Sequence, residues 1–355
     1  MELFLTRYWF QEVPMKLSVF LSASSVACAL LLLSGCGDDS ANTSTSGVDT
    51  TAPVNLEQAM DTVAEEESDV SVEEEEVSEP LPQVIEEGPL PKGELRTLEV
   101  AGMTRQYRLQ VPEAVPEGGR PILLTVHGGG EFDGNFPFPQ EALFYNRSEE
   151  EGFIVAHPLA KAVGDNEGAW QLNTTPNSIH DMEFMIAMLD DIEANFVVNP
   201  KRIYASGYSL GSMFNYEIAC QLNNRFAAVA SYAGTMPTAP TYCEMTHPIA
   251  VMHIHGVADP IIPYSDSWTW KAWDSVGEMM SIPDLVEYWK TKHNCQNTTE
   301  TEGASSAHIV HSSCDGGARV EHHRLPSVGH EWPDNIEGVS THQIIWEFVS
   351  EFSTP

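Results

Sequence analysis

Ala205-Ser206-Gly207-Tyr208-Ser209-Leu210-Gly211 is the stretch on which the reading of this chain turns. It holds G-x-S-x-G, with structural signals on both sides. Upstream, Lys201-Arg202-Ile203-Tyr204-Ala205 is short and partly β-branched and reads as a strand. Downstream, residues 212–222 contain neither Pro nor Gly and read as a helix. A strand that turns sharply into a helix around a central serine is a nucleophile elbow, which lifts the hydroxyl above the strand ends. Gly207 and Gly211 fit this because such a turn leaves no room for Cβ atoms beside the serine.

Working outward, residues 96–100 and 106–111 alternate apolar and polar around Ala101-Gly102 and predict an edge hairpin. Residues 121–126 form an apolar run that ends in His127-Gly128-Gly129-Gly130, a buried strand feeding a glycine loop. Residues 152–156 predict a second buried strand. Ser178, with Asp181 three residues on, is close to a capping box. The helix it opens keeps Ile179, Met182, Met185, Ile186, Leu189 and Ile192 on one face. Residues 227–232, 249–255 and 320–325 predict further strands. Ser281-Ile282-Pro283-Asp284 starts a helix that runs to His293. Ser340-Thr341-His342-Gln343 caps a last helix with Ile344, Ile345 and Phe348 inward. No internal repeat is visible. Alternating strands and helices make the fold class α/β, a mostly parallel sheet with helices on both faces.

The ends and the composition bound what the chain can do. Lys16, the apolar run 17–33 and Leu33-Ser34-Gly35-Cys36 read as an export signal. They resemble a bacterial lipoprotein signal with its lipobox, which implies a start at Met15, acylation of Cys36 and a membrane partner. Gly37 after the cysteine favours the outer membrane or cell surface. Residues 37–91 read as a disordered tether: 37–90 carry 16 Asp and Glu and no Lys or Arg. Residues 92–355 are long enough for one α/β domain with a full core. The whole chain has 17 Lys+Arg against 52 Asp+Glu, which argues against a nucleic-acid partner. Beyond Cys28 in the signal and Cys36, four cysteines remain: Cys220, Cys243, Cys295 and Cys314. In an exported domain these suggest two disulfides with three possible pairings, of which the local one, Cys220–Cys243 and Cys295–Cys314, is expected. No C-x-x-C occurs, so a cysteine metal site is not indicated.

A serine hydroxyl is a poor nucleophile until an imidazole takes its proton. Asp259 follows the strand 249–255 and so lies at the same sheet edge as the elbow, where it can orient such an imidazole. Asp266 is further into the following loop and a weaker candidate. His330, in the Gly- and Pro-bounded loop after the last strand, is the candidate base. His253 and His255 alternate on a buried strand, share a face, and read as packing rather than as metal ligands. His322 and His323 lie within the last strand; His308 and His311 read as a polar loop. Leu210 N–H and the loop Gly128, Gly129, Gly130 are the candidate oxyanion hole.

The contexts Gly-Tyr-Ser-Leu-Gly (207–211), His-Ile-His-Gly-Val-Ala-Asp-Pro-Ile-Ile-Pro-Tyr (253–264) and Gly-His-Glu-Trp-Pro (329–333) resemble the extracellular poly(3-hydroxybutyrate) depolymerase and feruloyl/acetylxylan esterase family. So do Asn199-Pro200-Lys201-Arg202-Ile203-Tyr204, and Ser281-Ile282-Pro283 ahead of Tyr288-Trp289. The resemblance spans roughly residues 95–352. It implies an α/β-hydrolase fold, Ser209, Asp259 and His330 as triad, no cofactor, and the same disulfide pairing. Leu210-Gly211-Ser212 and Val328-Gly329 depart from the family's usual Asn-Gly-Gly and Gly-Gly. Trp268, Trp270 and Trp273 follow the acid loop and Trp332 is two residues after His330. Exposed aromatics there could stack on a phenolic ring, a sugar or a polyester. The expected partner is a polymeric ester, first feruloyl or acetyl groups on polysaccharide, second a polyester. A serine peptidase is disfavoured because no gating domain is present. The non-enzyme alternative is a binding lipoprotein on a degenerate hydrolase fold.

Overall fold

A computed structural model describes residues 85–129, 141–161, 170–173, 179–270 and 276–355. These fall in the second of two units of the chain, Ser78–Pro355. The export signal, Cys36, the tether through residue 84, Gly130, Ser178 and Trp273 lie outside the described residues. Among the described residues no helix is long and apolar enough to cross a membrane.

The elements in chain order are β1 (Lys92–Val100), β2 (Met103–Gln110), β3 (Arg120–Val126), α1 (Glu141–Glu151), β4 (Ile154–Pro158), α2 (Asp181–Asn195), β5 (Val198–Tyr208), α3 (Leu210–Gln221), β6 (Ala228–Tyr232) and β7 (Ala250–Gly256). Then come the short pair β8 (Trp268–Thr269) and β9 (Glu278–Met279), followed by α4 (Ile282–Lys292), β10 (Asn297–Glu302), β11 (Ala307–Ser312), β12 (Val320–Leu325) and α5 (Thr341–Val349). Ten strands form one sheet in the order β1-β2-β4-β3-β5-β6-β7-β12-β11-β10. The run β4 to β12 pairs parallel throughout. Antiparallel hairpins close both edges. Every residue of β3, β4, β6 and β7 is buried, as expected of parallel strands covered on both faces. The two faces are visible in the alternation. Leu124, Val229 and Val251 join Phe184, Phe214 and Trp289 from α2, α3 and α4. Leu123, Ala228 and Met252 join Phe144 and Trp346 from α1 and α5.

The edge hairpin is longer than the sequence indicates, but it turns where expected. Ala101 and Gly102 both have positive φ, 50° and 78°, the two-residue turn that matches strand twist. Upstream of it, Glu87 accepts from Arg120 and from Val197 N–H (2.7 Å), so the packed chain begins before Lys92. β4 starts two residues later than the apolar run suggests. α2 has no side-chain cap, and its preceding residue, His180, is left-handed at φ 55°. Asp181 instead pairs with Arg105 at 2.9 Å, both side chains wholly buried, and accepts from Gln171 N–H. The face α2 buries includes Phe184 and Met188, whereas Met182 and Ile186 are only partly buried. Ser281 does cap α4, accepting from Asp284 N–H at 3.3 Å, but Ser340 makes no side-chain cap on α5. His308 and His311 are in a strand, β11, not a loop. Its partner β10 is exposed along its whole length, a polar edge that discourages further strand pairing and hides the strand from hydrophobic periodicity. The disulfides pair locally, Cys220–Cys243 and Cys295–Cys314, as expected.

Candidate active site

Ser209 lies between the end of β5 and the start of α3 with φ 53° and ψ −119°, a conformation an L-residue holds only where its surroundings enforce it. They do so here. A Cβ on Gly211 would lie 2.1 Å from the carbonyl oxygen of Val126, and one on Gly207 would lie 2.4 Å from that of Gly211. Both neighbours are backbone and cannot yield. The serine's own N–H is tied to the Tyr232 carbonyl at 2.9 Å.

Asp259 sits just past β7, in a turn that folds back on its carboxylate. Oδ1 accepts from Ile261 N–H and Ile262 N–H, both at 2.8 Å. Oδ2 is thereby left to His330, whose Nδ1 lies 2.7 Å away. Burial pushes this carboxyl up, but hydrogen bonds from His330, Ile262 and Ile261 outweigh it and hold the acid below its usual value. His330 is in the loop after β12, 14% exposed at its side chain, and its Nε2 is 2.8 Å from Ser209 Oγ. With Nδ1–H donated to the aspartate, Nε2 is free to accept the serine proton. The Tyr208 hydroxyl donates to the His330 carbonyl. The base loop also packs on Gly256, where a Cβ would be 2.2 Å from the Val328 carbonyl. Asp266 is exposed; Asp259 is the carboxylate that meets His330.

The glycine loop flanks the serine. A Cβ on Gly128 would touch Ser209 Cβ at 3.4 Å, and one on Gly129 would touch Leu210. Leu210 N–H is the first of α3, and first-turn donors lack an intrahelical acceptor. The loop is held by His127, which donates to the Gly128 carbonyl (2.7 Å) and accepts from Ala160 N–H (3.0 Å). Burial lowers His127 to about 4, against a weaker rise from the Gly128 bond. Trp170 Nε1 donates to the His127 carbonyl at 3.0 Å.

His253 and His255 do more than fill space. The Tyr216 hydroxyl donates to His253 Nδ1 (2.6 Å), and His253 Nε2 donates to His255 Nδ1 (3.1 Å). His255 Nε2 then donates to the Ile262 carbonyl (3.0 Å) and lies 3.5 Å from Asp259 Oδ2. His322 donates from Nδ1 to the His253 carbonyl and accepts the Tyr264 hydroxyl at Nε2. This buried chain ends in the turn that carries Asp259. The shared face of H-x-H was its one trace in the sequence.

The tryptophans divide. Trp332, expected as a substrate contact, is 9% exposed and packs on Tyr232 and His342, so it belongs to the core. Trp268 and Trp270 are half-buried, their rings 5.5 Å apart, and pack against the larger core cluster.

A family described as Phospholipase/Carboxylesterase matches residues 165–273, a span that includes Ser209 and Asp259. "Putative esterase NocK" of Nocardia uniformis subsp. tsuyamanensis is 29% identical over 67% of this chain and 73% of its own length. "Feruloyl esterase B" of Piromyces equi is 24% identical over 58% of this chain, which spans only 37% of that protein. An acetyl xylan esterase structure from Aspergillus awamori superposes with a TM-score of 0.50 at 16% identity, over 72% of this chain and 99% of that one. The chain has the α/β-hydrolase fold and is similar to carboxylesterases.

Proposed function

We propose that this α/β-hydrolase is an exported serine esterase that removes feruloyl or acetyl groups from polysaccharide, held at a membrane through a lipid on Cys36. The observation that carries the reading is His330, which links Ser209 Oγ at 2.8 Å to Asp259 Oδ2 at 2.7 Å. In the first half-reaction Ser209 Oγ attacks the ester carbonyl carbon while His330 Nε2 takes the hydroxyl proton. The oxyanion is met by Leu210 N–H and by N–H groups of the loop at Gly128 and Gly129, each contributing about 3 kcal/mol. Collapse breaks the C–O bond, and His330 returns the proton to the departing alcohol. Water, deprotonated by the same imidazole, then releases the acid from the acyl-serine. Asp259 stays ionised throughout and steadies the imidazolium.

The relatives' names support the acyl groups, and two half-buried indoles beside the acid loop support a ring-bearing substrate. A panel of methyl ferulate, acetylated xylan and poly(3-hydroxybutyrate), compared by kcat/KM, tests this. Methyl ferulate and acetylated xylan are expected to lead. Trp268→Ala should cost about 1–3 kcal/mol on the preferred one, the scale of aromatic stacking, and little on p-nitrophenyl acetate. Preference for the polyester would replace this substrate with the depolymerase alternative.

A further inference from the structure

Away from the serine, β11 and β12 bring three metal-ligating side chains to one face. His308 lies directly opposite His323 in the antiparallel register. Glu321 precedes His323 by two residues, and residues i and i+2 of a strand share a face. The two imidazoles are stacked at 4.1 Å and 8°, and His308 Nε2 is 2.8 Å from Glu321 Oε2. One donor atom from each of the three residues lies within 4.8 Å of the others.

We propose that His308, Glu321 and His323 bind a divalent transition-metal ion of the zinc kind, which clasps β11 to β12. Tetrahedral zinc with ligands at about 2.0–2.1 Å needs donors roughly 3.4 Å apart, so side-chain shifts on the order of 1 Å close the site. Three further observations support it. His323 is only 7% exposed, and its Nε2 is buried with no hydrogen-bond partner among the described residues; native proteins rarely leave such a group unsatisfied. Glu321 Oε1 is held by Arg319 Nε at 2.5 Å, which aims the other oxygen at His308, the kind of outer contact that orients metal ligands. The three residues line a cavity of about 400 Å³ whose wall sets Glu337, Glu347 and Glu351 against one cation, Arg319, itself paired with Glu351, a net acidic setting that attracts a cation. Two imidazoles and one carboxylate suit zinc, cobalt, nickel or copper, not the all-oxygen shells of calcium or magnesium. The ion's role is structural: β12 runs on into the loop that carries His330, whereas the serine chemistry itself needs no metal.

The test is titration of the full chain with cobalt(II), followed by visible absorption, and with zinc, followed by the thermal midpoint. Wild type should bind one equivalent with ligand-field bands and a raised midpoint. His308→Ala and Glu321→Gln should weaken binding at least about tenfold while circular dichroism and p-nitrophenyl ester turnover stay at wild-type levels. His308 is partly exposed, 38% at its side chain, so its removal should spare the fold. Absence of a one-equivalent site, or unchanged binding in both variants, overturns the proposal; the latter would assign the ion to the acidic segments or to other histidines.

Discussion

His330 and the group His253, His255 and His322 both engage two ring nitrogens, but in opposite surroundings. His330 is in a loop, partly exposed, and bridges a serine and a carboxylate. The strand histidines are buried in the sheet, bridged by two tyrosine hydroxyls, by one another and by backbone carbonyls. Burial lowers His255 to about 4 and His322 to about 3, only partly offset by their backbone bonds, and holds His253 well below its usual value. The difference teaches what fits a histidine to the proposed role of base. Of these four rings, only His330 has a carboxylate on Nδ1 and a hydroxyl on Nε2. The strand histidines are locked neutral and hold the turn around Asp259.

Breaking the loop side should have the largest effect. Ser209→Ala is expected to cut kcat on p-nitrophenyl acetate by about 10⁴–10⁶ with the thermal midpoint unchanged. Retention of near wild-type turnover would remove Ser209 from the chemistry.

The strand side should show in stability, not in turnover. An unfolded histidine titrates near 6.5, whereas burial holds His157 on β4, His255 and His322 near 3 to 4 when folded. Between those values the unfolded chain binds more protons, so stability must fall as pH drops. The expected slope is about 1.4 kcal/mol per pH unit for each such histidine, starting below pH 6.5 and ending near pH 3. Urea midpoints across pH 4–7 measure it, and a flat profile would mean that these rings titrate alike in the folded and unfolded chain.

A smaller effect sharpens the contrast further. Tyr216→Phe leaves His253 Nδ1 without its donor and should cost about 1–3 kcal/mol of stability, read by chemical denaturation. It should leave kcat within a small factor, because Asp259 keeps its bonds to Ile261 and Ile262. A large loss of kcat at unchanged stability would make the chain part of the proton machinery.

What the sequence disclosed follows the same division. Ser209, Asp259 and His330 each follow the end of a strand, and Gly207 is demanded by the backbone of Gly211 four residues on. Those are local facts, whereas Gly211 answers to the Val126 carbonyl, 85 residues away. The Tyr216–His253–His255 chain and the His308–Glu321–His323 face depend on strand register, since His253 pairs with His322 and His308 with His323, which one-dimensional pattern does not carry. β10 was invisible because a polar edge strand has no hydrophobic period. Asp181 looked like a cap because its buried partner, Arg105, is 76 residues away. Trp332 looked like a surface aromatic because nothing local shows that its indole turns inward.

The central claim is that one elbow serine is activated by His330. Reaction with a fluorophosphonate ester, followed by peptide mass spectrometry, tests it most directly. The account predicts a single adduct on the peptide that contains Ser209, formed with loss of esterase activity and slowed by orders of magnitude in His330→Ala. An adduct on another residue, or full ester hydrolysis in protein already labelled at Ser209, would contradict it.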